Sequence, residues 1–386
     1  MRVALAGGGT AGHIEPALSL ADALRRIDPG TEILCLGTER GLETRLVPMR
    51  GYELGMIPAV PLPRKLTPKL LTVPGKLAGA LGAAGELLDR IQADVLVGFG
   101  GYVATPGYLA ARRRNIPIVV HKANPLPGLA NRLGARMTPH VYTGHPHTQI
   151  RNGRFVGIPL REQITSLDRL AMGDKARTYF GLRHDLPTLL IFGGSQGAQR
   201  LNETAFAAAP HFRRHGVQVL HVVGPKNAEE PQDLTEDGIP YVAVPYVDRM
   251  DMAYAAADMA MCRSGAMSCA ELTAVGLPGA FVPLAIGNGE QALNAEPIVR
   301  AGGGLAVDNA DISVDWITHE LLPVLTDTDR VVAMSEAAAR MGRRDADDEL
   351  AREVMAIARG DKPTPDVPVS DDIGDEVFHD NGKDSR

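Results

Sequence analysis

The segment Cys262–Ala295, CRSGAMSCAELTAVGLPGAFVPLAIGNGEQALNA, carries the pattern that decides the fold. An apolar run precedes it and predicts a buried strand that ends near Cys262. The turn RSGA at 263–266 follows, and a helix from about Ala266 to Val275 stops at Gly276. The run Gly279 to Pro283 predicts another short strand. Strand, turn, helix and strand in this order indicate a parallel α/β sheet.

The same segment offers groups that suit a sugar nucleotide. The Gly-bearing turn at 263–266 directs backbone N–H groups at an anion, and the dipole of the following helix supports them. Glu271 lies in mid-helix among small and apolar neighbours, and the polar loop Ala285 to Gln291 follows the next strand. Ligands of open α/β sheets bind outside the carboxyl ends of the strands. We therefore expect a phosphate cradle, a carboxylate and amide groups at one sheet edge.

Composition sets the broad class of the protein. The 386 residues are too many for one ordinary core and suit two domains. A formal net charge of -6 argues against a nucleic-acid partner. Cys35, Cys262 and Cys269 have no metal-ligand spacing and are typical of buried thiols in a reducing compartment. No signal peptide and no membrane-spanning apolar run is evident.

The N-terminus predicts a βαβ unit with a Gly-rich first turn. A strand at 2–6 leads into GGGTAGH at 7–13, and a helix is expected from about Ile14 to Ile27. Gly7-x-Gly9-x-x-Gly12 satisfies the dinucleotide-binding fingerprint, which also expects an acidic residue at the end of the second strand. Glu39 lies close to that position, so a dehydrogenase remains an alternative. His13, however, occupies the helix start, where a pyrophosphate needs a clear approach.

His13 is the candidate general base. An imidazole at a helix N-terminus is held neutral by the helix dipole, and a neutral imidazole in a cleft can accept a proton. A helix-capping or packed histidine would produce the same sequence pattern. Both interpretations remain open on the residues alone.

The segment Arg64 to Ile91 interleaves basic residues with leucines. Its first part, Arg64 to Leu77, predicts contact with an anionic membrane surface. Its second part has apolar residues at helical spacing and is expected to face the core. A loop followed by an ordinary amphipathic helix is the alternative.

Further strands are expected at 94–99 and 116–121, separated by a helix at 105–114. Asn124 follows the second of them, where it can bind a sugar hydroxyl or stabilise the turn before Pro125. His145-Pro146-His147 has no further ligand nearby, so we expect no metal site there.

A second series repeats the first. A strand at 188–192 is followed by GGSQGA at 193–198 and a helix, and Ser195 is placed to bind phosphate. Further strands are expected at 217–223 and 241–244, with Val247 on the next loop, where backbone groups can read a base edge. The sequence thus predicts Rossmann-like domains at 1–160 and 161–344. A helix at about 345–359 is expected to pack on the first domain, and a disordered tail to follow at 360–386.

Six motifs occur in an order that resembles a known family. They are GGGTAGHIEP (7–16), GFGGYVATPG (98–107), HKANPLPGLAN (121–131), GGSQGAQRLN (193–202), the segment 262–278 and the segment 287–295. Together they resemble the lipid I N-acetylglucosaminyltransferases of peptidoglycan synthesis, the MurG family, up to about Arg359. The resemblance implies a GT-B fold, in which two Rossmann-like domains face each other across a cleft. It further implies inverting transfer of GlcNAc from UDP-GlcNAc to the muramoyl C4 hydroxyl of lipid I, with no metal or other cofactor.

The resemblance also implies roles for individual residues. For the donor it implies phosphate contacts by Arg161 and Ser195, a backbone contact of Val247 with uracil, a bond from the Ala266 N–H, and ribose binding by Glu271.

For the transferred sugar and the acceptor, the resemblance implies hydroxyl contacts by Asn124, Glu290 and Gln291, and substrate contacts in the turn Thr10-Ala11-Gly12. His13 would be the base. The family also implies a peripheral location on the cytoplasmic face of the plasma membrane, with cell-wall or division proteins as possible partners.

Three positions depart from the family pattern. Lys122 replaces a frequent acid, Glu15 stands where Asn is frequent, and Glu290 replaces a frequent Gln. Lys122 reverses a charge beside the expected cleft, and we hypothesise that Glu15 compensates for the lost carboxylate. A catalytically impaired UDP-sugar-binding protein and a glycosyltransferase with another lipid acceptor remain alternatives. A UDP-GlcNAc 2-epimerase would need more acids in the cleft.

Overall fold

The computed structural model describes residues 1–39, 41–60, 73–194, 198–225, 235–284 and 288–361. Its first sheet contains the strands β1 (Arg2–Gly7), β2 (Glu32–Gly37), β3 (Glu53–Met56), β4 (Val95–Gly100), β5 (Ile118–Lys122), β6 (Val141–Thr143) and β7 (Gly153–Phe155). All of its pairings are parallel, and the spatial order is β3-β2-β1-β4-β5-β6-β7.

The second sheet contains β8 (Thr188–Phe192), β9 (Gln218–Val222), β10 (Tyr241–Val244), β11 (Met259–Cys262), β12 (Gly279–Phe281) and β13 (Gly304–Ala306). Its order is β10-β9-β8-β11-β12-β13, again parallel throughout. Both sheets therefore have the Rossmann order, in which the strand sequence reverses direction beside the first strand. The predicted pair of Rossmann-like domains is confirmed.

Helices cover both faces of each sheet. Those of the first half are α1 (Ala11–Ile27), α2 (Glu43–Met49), α3 (Val73–Ile91), α4 (Ala104–Arg113), α5 (Leu129–Gly134), α6 (Glu162–Thr165) and α7 (Arg169–Tyr179). Those of the second half are α8 (Gln199–Ala207), α9 (Ala209–Arg214), α10 (Met250–Ala256), α11 (Ala266–Val275), α12 (Glu290–Arg300), α13 (Val314–Trp316), the π-helical turn Ile317–Leu321, α14 (Leu322–Leu325), α15 (Thr328–Met341) and α16 (Ala346–Ala358). Among these described helices, none has the length and apolarity needed to cross a membrane.

The core lies on both faces of each sheet because the innermost strands, β1, β4, β8 and β11, are apolar along nearly their whole length. In β1, Val3 and Leu5 pack into one buried cluster, while Ala4 and Ala6 pack into the cluster on the opposite face. This alternation follows from the two-residue period of a strand. Strands buried on both faces need uninterrupted apolar runs, which is the pattern seen in the sequence.

Helix α16 returns from the second sheet to the first. Its residues Leu350 and Val354 belong to the same buried cluster as Val3 and Leu5, beneath α1. Ionic contacts fix the helix at its first turn, where Arg26 Nη2 lies 2.7 Å from Asp347 Oδ2. The chain therefore leaves the first domain, builds the second, and comes back.

Local signals predicted α11 correctly, whereas some other helix starts were misplaced. Helix α11 spans Ala266–Val275 and ends at Gly276 in the left-handed conformation, with φ of +65°. Helix α1 begins at Ala11 rather than Ile14, so His13 lies within its first turn. Helix α12 begins at Glu290, inside the segment predicted as a polar loop, because Gly289 with φ of +80° ends the loop earlier.

Two other segments differ from the sequence-based expectation. Strand β5 extends through Lys122, which was expected to follow the strand. The segment 313–326, which the sequence predicts as one helix, is interrupted by a π-helical turn before Pro323. A proline lacks the N–H that a regular α-helix would use, and a wider turn accommodates it.

The Gly-rich turn after β1 is held by a close backbone approach at the neighbouring strand β4. Gly101, just beyond β4, has φ of +81°, and a Cβ atom there would lie 2.2 Å from the Gly8 carbonyl oxygen. Only glycine fits both constraints.

We expect Gly101→Ala to destabilise the first domain more than the matched substitution Gly51→Ala. Gly51 has a similar φ of +72° but no atom within 4 Å of its added Cβ. The conformational cost, about 1–2 kcal/mol, applies to both, and the clash adds roughly 1–3 kcal/mol at Gly101 alone. Urea unfolding measures the difference, and equal losses in the two variants would contradict the close approach.

Candidate active site

A cleft of about 1030 Å³ separates the carboxyl edges of the two sheets. The first domain lines it with the turn after β1 and with the loop after β5. The second domain lines it with the turns after β8 and β11 and with the start of α12. Each sheet therefore presents its topological switch point to the same space, which is where open α/β sheets bind ligands.

The structure brings most of the predicted substrate residues to this cleft. Those that line it are Thr10, Ala11, Gly12, Glu15, Asn124, Ala266, Glu271, Glu290 and Gln291. Arg161 stands beside them through its contact with Glu271. Ser195 lies outside the described residues. The sequence reasoning did not single out Arg200, Met267 or Ser268, which also line the cleft.

A buried carboxylate that the sequence analysis missed holds the first Gly-rich turn. Glu43, at the start of α2, is fully buried, and its Oε2 accepts a 2.9 Å hydrogen bond from the Gly9 N–H. Its Oε1 accepts from the backbone N–H and the hydroxyl of Thr38. The exposed Glu39, considered as a dinucleotide-binding acid, has no part in this arrangement. A carboxylate on a loop amide repels the pyrophosphate of a dinucleotide, which argues against the dehydrogenase interpretation.

His13 lies between the Gly-rich turn and the end of β4. Its Nδ1 is 3.2 Å from Thr10 Oγ1, and its Nε2 would be 3.1 Å from a Cβ added at Gly100. Burial lowers the pKa of His13 below its usual 6.5, and the nearby charge of Lys122 lowers it further, while the backbone of Gly8 opposes the shift. The imidazole is therefore neutral at pH 7 and competent to accept a proton.

Lys122 is buried at the interface of the two domains. Its Nζ lies 3.5 Å from Oε1 of Glu290, which belongs to the first turn of α12 in the other domain. Burial lowers the pKa of Lys122, and the Glu290 carboxylate opposes that shift. Nearby, Asn294 donates its Nδ2 to Oδ1 of Asn124 at 3.2 Å. Two residues of the 121–124 motif, Lys122 and Asn124, thus contact α12.

Glu15, which we hypothesised to compensate for the carboxylate lost at position 122, lines the cleft. Its Oε2 lies 3.5 Å from Nη1 of Arg50, a residue that also pairs with Asp22. Glu15 therefore joins an ionic cluster beside α2, and the charge that acts on the pKa of His13 is that of Lys122.

On the donor side, Glu271 is a buried carboxylate with two partners from different elements. The hydroxyl of Tyr254 donates to its Oε2 at 2.7 Å, and Nη2 of Arg161 lies 3.5 Å from its Oε1. Burial raises the pKa of Glu271, and Arg161 opposes the shift. Tyr254 was missed by the sequence analysis, because no local pattern links it to a residue 17 positions away.

The turn between β11 and α11 has the geometry of an anion site. Gly265 is extended, so the amides of the first turn of the ten-residue helix α11 point into the cleft. Arg263 donates to the carbonyl oxygens of Val282 and Pro283, which ties this turn to the end of β12. Val247 packs its side chain into the second domain's core, so its backbone is the part that remains for a ligand.

His145 and His147, the histidine pair that the sequence analysis considered, lie next to each other. The rings of His145 and His147 lie 5.7 Å apart, and no group of three metal-ligating side chains occurs among the described residues. The cleft combines the amides at the start of α11 with a carboxylate held by two partners, and the neutral imidazole of His13 follows the turn Thr10-Ala11-Gly12 that lines it. These groups suit a nucleoside diphosphate sugar on one side and a hydroxyl acceptor on the other.

Comparison with known families agrees with this chemistry. Residues 3–143 match the glycosyltransferase family 28 N-terminal domain, and residues 188–350 match the glycosyltransferase family 28 C-terminal domain. The chain is similar to solved glycosyltransferase structures. The crystal structure of Acinetobacter baumannii MurG has a TM-score of 0.72 at 26% identity, covering 92% of this chain and 99% of that one. The calicheamicin glycosyltransferase CalG4 has a TM-score of 0.63 at 18% identity, covering 93% and 98%, and supports the fold alone.

Curated relatives are considerably more similar in sequence. A protein of Thermobifida fusca is 75% identical over 97% of this chain and 100% of its own length. One of Mycolicibacterium smegmatis is 54% identical over 92% of this chain and 94% of its own. Both are named UDP-N-acetylglucosamine–N-acetylmuramyl-(pentapeptide) pyrophosphoryl-undecaprenol N-acetylglucosamine transferase. The chain is therefore a GT-B enzyme that belongs to glycosyltransferase family 28 and, within it, to the MurG family.

Proposed function

We propose that this chain transfers GlcNAc from UDP-GlcNAc to the muramoyl C4 hydroxyl of undecaprenyl-pyrophosphoryl-MurNAc-peptide (lipid I), giving lipid II with inversion at C1. The observation that carries the proposal is the cleft where both switch points meet, lined by the family's motifs from both domains. The near-complete match to relatives that are named for this reaction supports it.

The second domain would bind the donor. The free amides at the start of α11, including that of Ala266, are placed for the pyrophosphate, with Ser195 and Arg161 as further phosphate contacts. Glu271 would accept hydrogen bonds from the ribose hydroxyls, and its contacts with Tyr254 and Arg161 support that role by fixing its orientation.

The rest of the donor would extend along the cleft. The backbone at Val247 would contact uracil. The GlcNAc hydroxyls would meet Asn124, Glu290 and Gln291, which line the cleft at the domain boundary.

The first domain would bind and activate the acceptor. With the acceptor held at Thr10, Ala11 and Gly12, His13 would take the proton from the C4 hydroxyl as that oxygen attacks C1 of GlcNAc. The bond from C1 to the phosphate oxygen breaks, and UDP leaves with the electron pair. Amides and Arg161 would stabilise the charge that develops on the leaving diphosphate.

The burial of Lys122 beside His13 favours a second candidate function, that of a UDP-sugar-binding protein with impaired transfer. A positive charge next to the base opposes formation of the imidazolium ion during the reaction. Transfer of radiolabelled GlcNAc to a lipid I analogue separates the two functions, since the binding protein would retain UDP-GlcNAc without forming product. The same assay with other polyprenyl-linked sugars tests for a different lipid acceptor.

We expect His13→Ala to lower kcat for GlcNAc transfer by about 10²- to 10⁴-fold, the usual contribution of a general base. The inhibition constant of UDP should stay unchanged, because the donor contacts lie in the other domain. His319→Ala is the matched control, since His319 is exposed and is not among the residues that line the cleft, so both constants should stay as they are. Full activity of His13→Ala would rule out this base.

The pH profile tests the same residue independently. The pKa of His13 is lowered below 6.5, so the imidazole stays uncharged and able to accept a proton down to that pKa. We therefore expect kcat/KM to fall only when the pH drops through the lowered pKa. In His13→Gln the acid limb assigned to this group should disappear. If the acid limb persists unchanged in His13→Gln, another titrating group causes it.

We further propose that the protein works as a peripheral enzyme at the cytoplasmic face of the plasma membrane, where its lipid-linked acceptor is found, in company with cell-wall or division proteins. The predicted membrane contact is Arg64 to Leu77, of which residues 64–72 lie outside the described ones. Within helix α3, Lys76 is exposed, in keeping with a role at an anionic surface.

Substitution of both Leu70 and Leu71 by Ser should reduce co-sedimentation with liposomes that contain anionic lipid, because it removes apolar side chains from the basic segment. Transfer to a soluble lipid I analogue should be retained. Unchanged liposome binding would place the membrane contact elsewhere.

A further inference from the structure

The two departures from the family pattern at positions 122 and 290 meet in space. Lys122 ends β5 in the first domain, and Glu290 opens α12 in the second, 168 residues later. Their side chains form an ion pair with 3.5 Å between Nζ and Oε1. A lysine in place of an acid and a glutamate in place of a glutamine therefore constitute one feature, since either change alone would leave a charge without its partner.

The Lys122 side chain is enclosed where the two domains pack together. Only 6% of its side chain is exposed, against 24% for Glu290. The next residue, Ala123, belongs to the buried apolar cluster of the second domain. An ammonium group in this position has lost most of its hydration, so it needs a hydrogen-bonding anion when the domains are together.

The pair directs the carboxylate more than it stabilises the fold. For buried ion pairs, the loss of hydration offsets most of the electrostatic attraction. The main effect of the pair is therefore to orient the Glu290 carboxylate. Its Oε1 faces Lys122, and Glu290 itself lines the substrate cleft. Glu290 also lies in the first turn of α12, where the helix dipole attracts a negative charge. Oε2 is then free to accept a hydrogen bond from a sugar hydroxyl.

We propose that Lys122 is a positioning residue that holds the Glu290 carboxylate toward the donor sugar, so that recognition of GlcNAc depends on contact between the two domains. The proposal rests on the function proposed above. A second contact joins the same two parts of the domains, since Asn294 on α12 donates to Asn124, two residues after Lys122. Sugar-contacting groups from both domains are thus fixed by bonds that exist only when the domains meet.

The test separates the sugar from the nucleotide. Lys122→Met should raise KM for UDP-GlcNAc about tenfold and leave the inhibition constant of UDP unchanged, because UDP lacks the sugar. Lys122→Arg keeps the charge and should recover most of the loss. Assays at pH 7.5 keep His13 neutral, because burial, the larger cause of its lowered pKa, remains when Lys122 is replaced.

A double-substitution cycle supplies the second criterion. Glu290→Gln should raise KM to a similar extent, and Lys122→Met with Glu290→Gln should be no worse than the more severe single variant. Two exposed residues provide matched controls, Lys175→Met on α7 and Glu296→Gln on α12, and both should behave like the unsubstituted protein.

Three results would overturn the proposal. One is an unchanged KM in Lys122→Met. Another is a parallel rise in KM and in the UDP inhibition constant, which would show a purely structural role. The third is additivity of the two substitutions, which would show that the side chains act separately. Failure of the unsubstituted protein to form lipid II would instead overturn the proposed function, so the two failures are distinguishable.

Discussion

The constraint on which this molecule depends is the polarity of its parallel sheets. Every strand of a parallel sheet delivers its carboxyl end to the same edge, so the loops that follow must gather there. The protein builds two such sheets with the same strand order and turns their loop-bearing edges toward one another. No single loop lines the whole cleft, since each domain contributes several of its residues.

Charge is arranged in the cleft so that each buried carboxylate already has hydrogen-bond donors. Glu43 is satisfied by the backbone at Gly9 and by Thr38, Glu271 by Tyr254 and Arg161. Acids held in this way have a fixed orientation, and part of their hydrogen-bonding capacity is used within the protein.

Local patterns predicted the fold well because the determinants of helix ends and buried strands are neighbours in sequence. Helix α11 and its Gly276 terminus are an example, and the repeated strand, Gly-rich turn and helix revealed both domains. The site was only partly predictable. Glu43, Tyr254 and the Lys122–Glu290 pair act across 17 to 168 residues of chain, and no spacing rule connects them. The family resemblance indicated other residues of the site. Only the three-dimensional structure shows that the departures at Lys122 and Glu290 contact each other.

The return of α16 to the first domain has a mechanical consequence. The backbone crosses between the domains twice, and the crossings touch: a Cβ at Gly157 would lie 3.0 Å from Cβ atoms of Arg343 and Ala346, and Arg344 donates to the Leu167 carbonyl oxygen. Two chain segments that contact each other restrict twisting of one domain relative to the other, whereas a single linker would leave that rotation free. A rotation about the line of these contacts would keep the partners that face each other across the cleft in register.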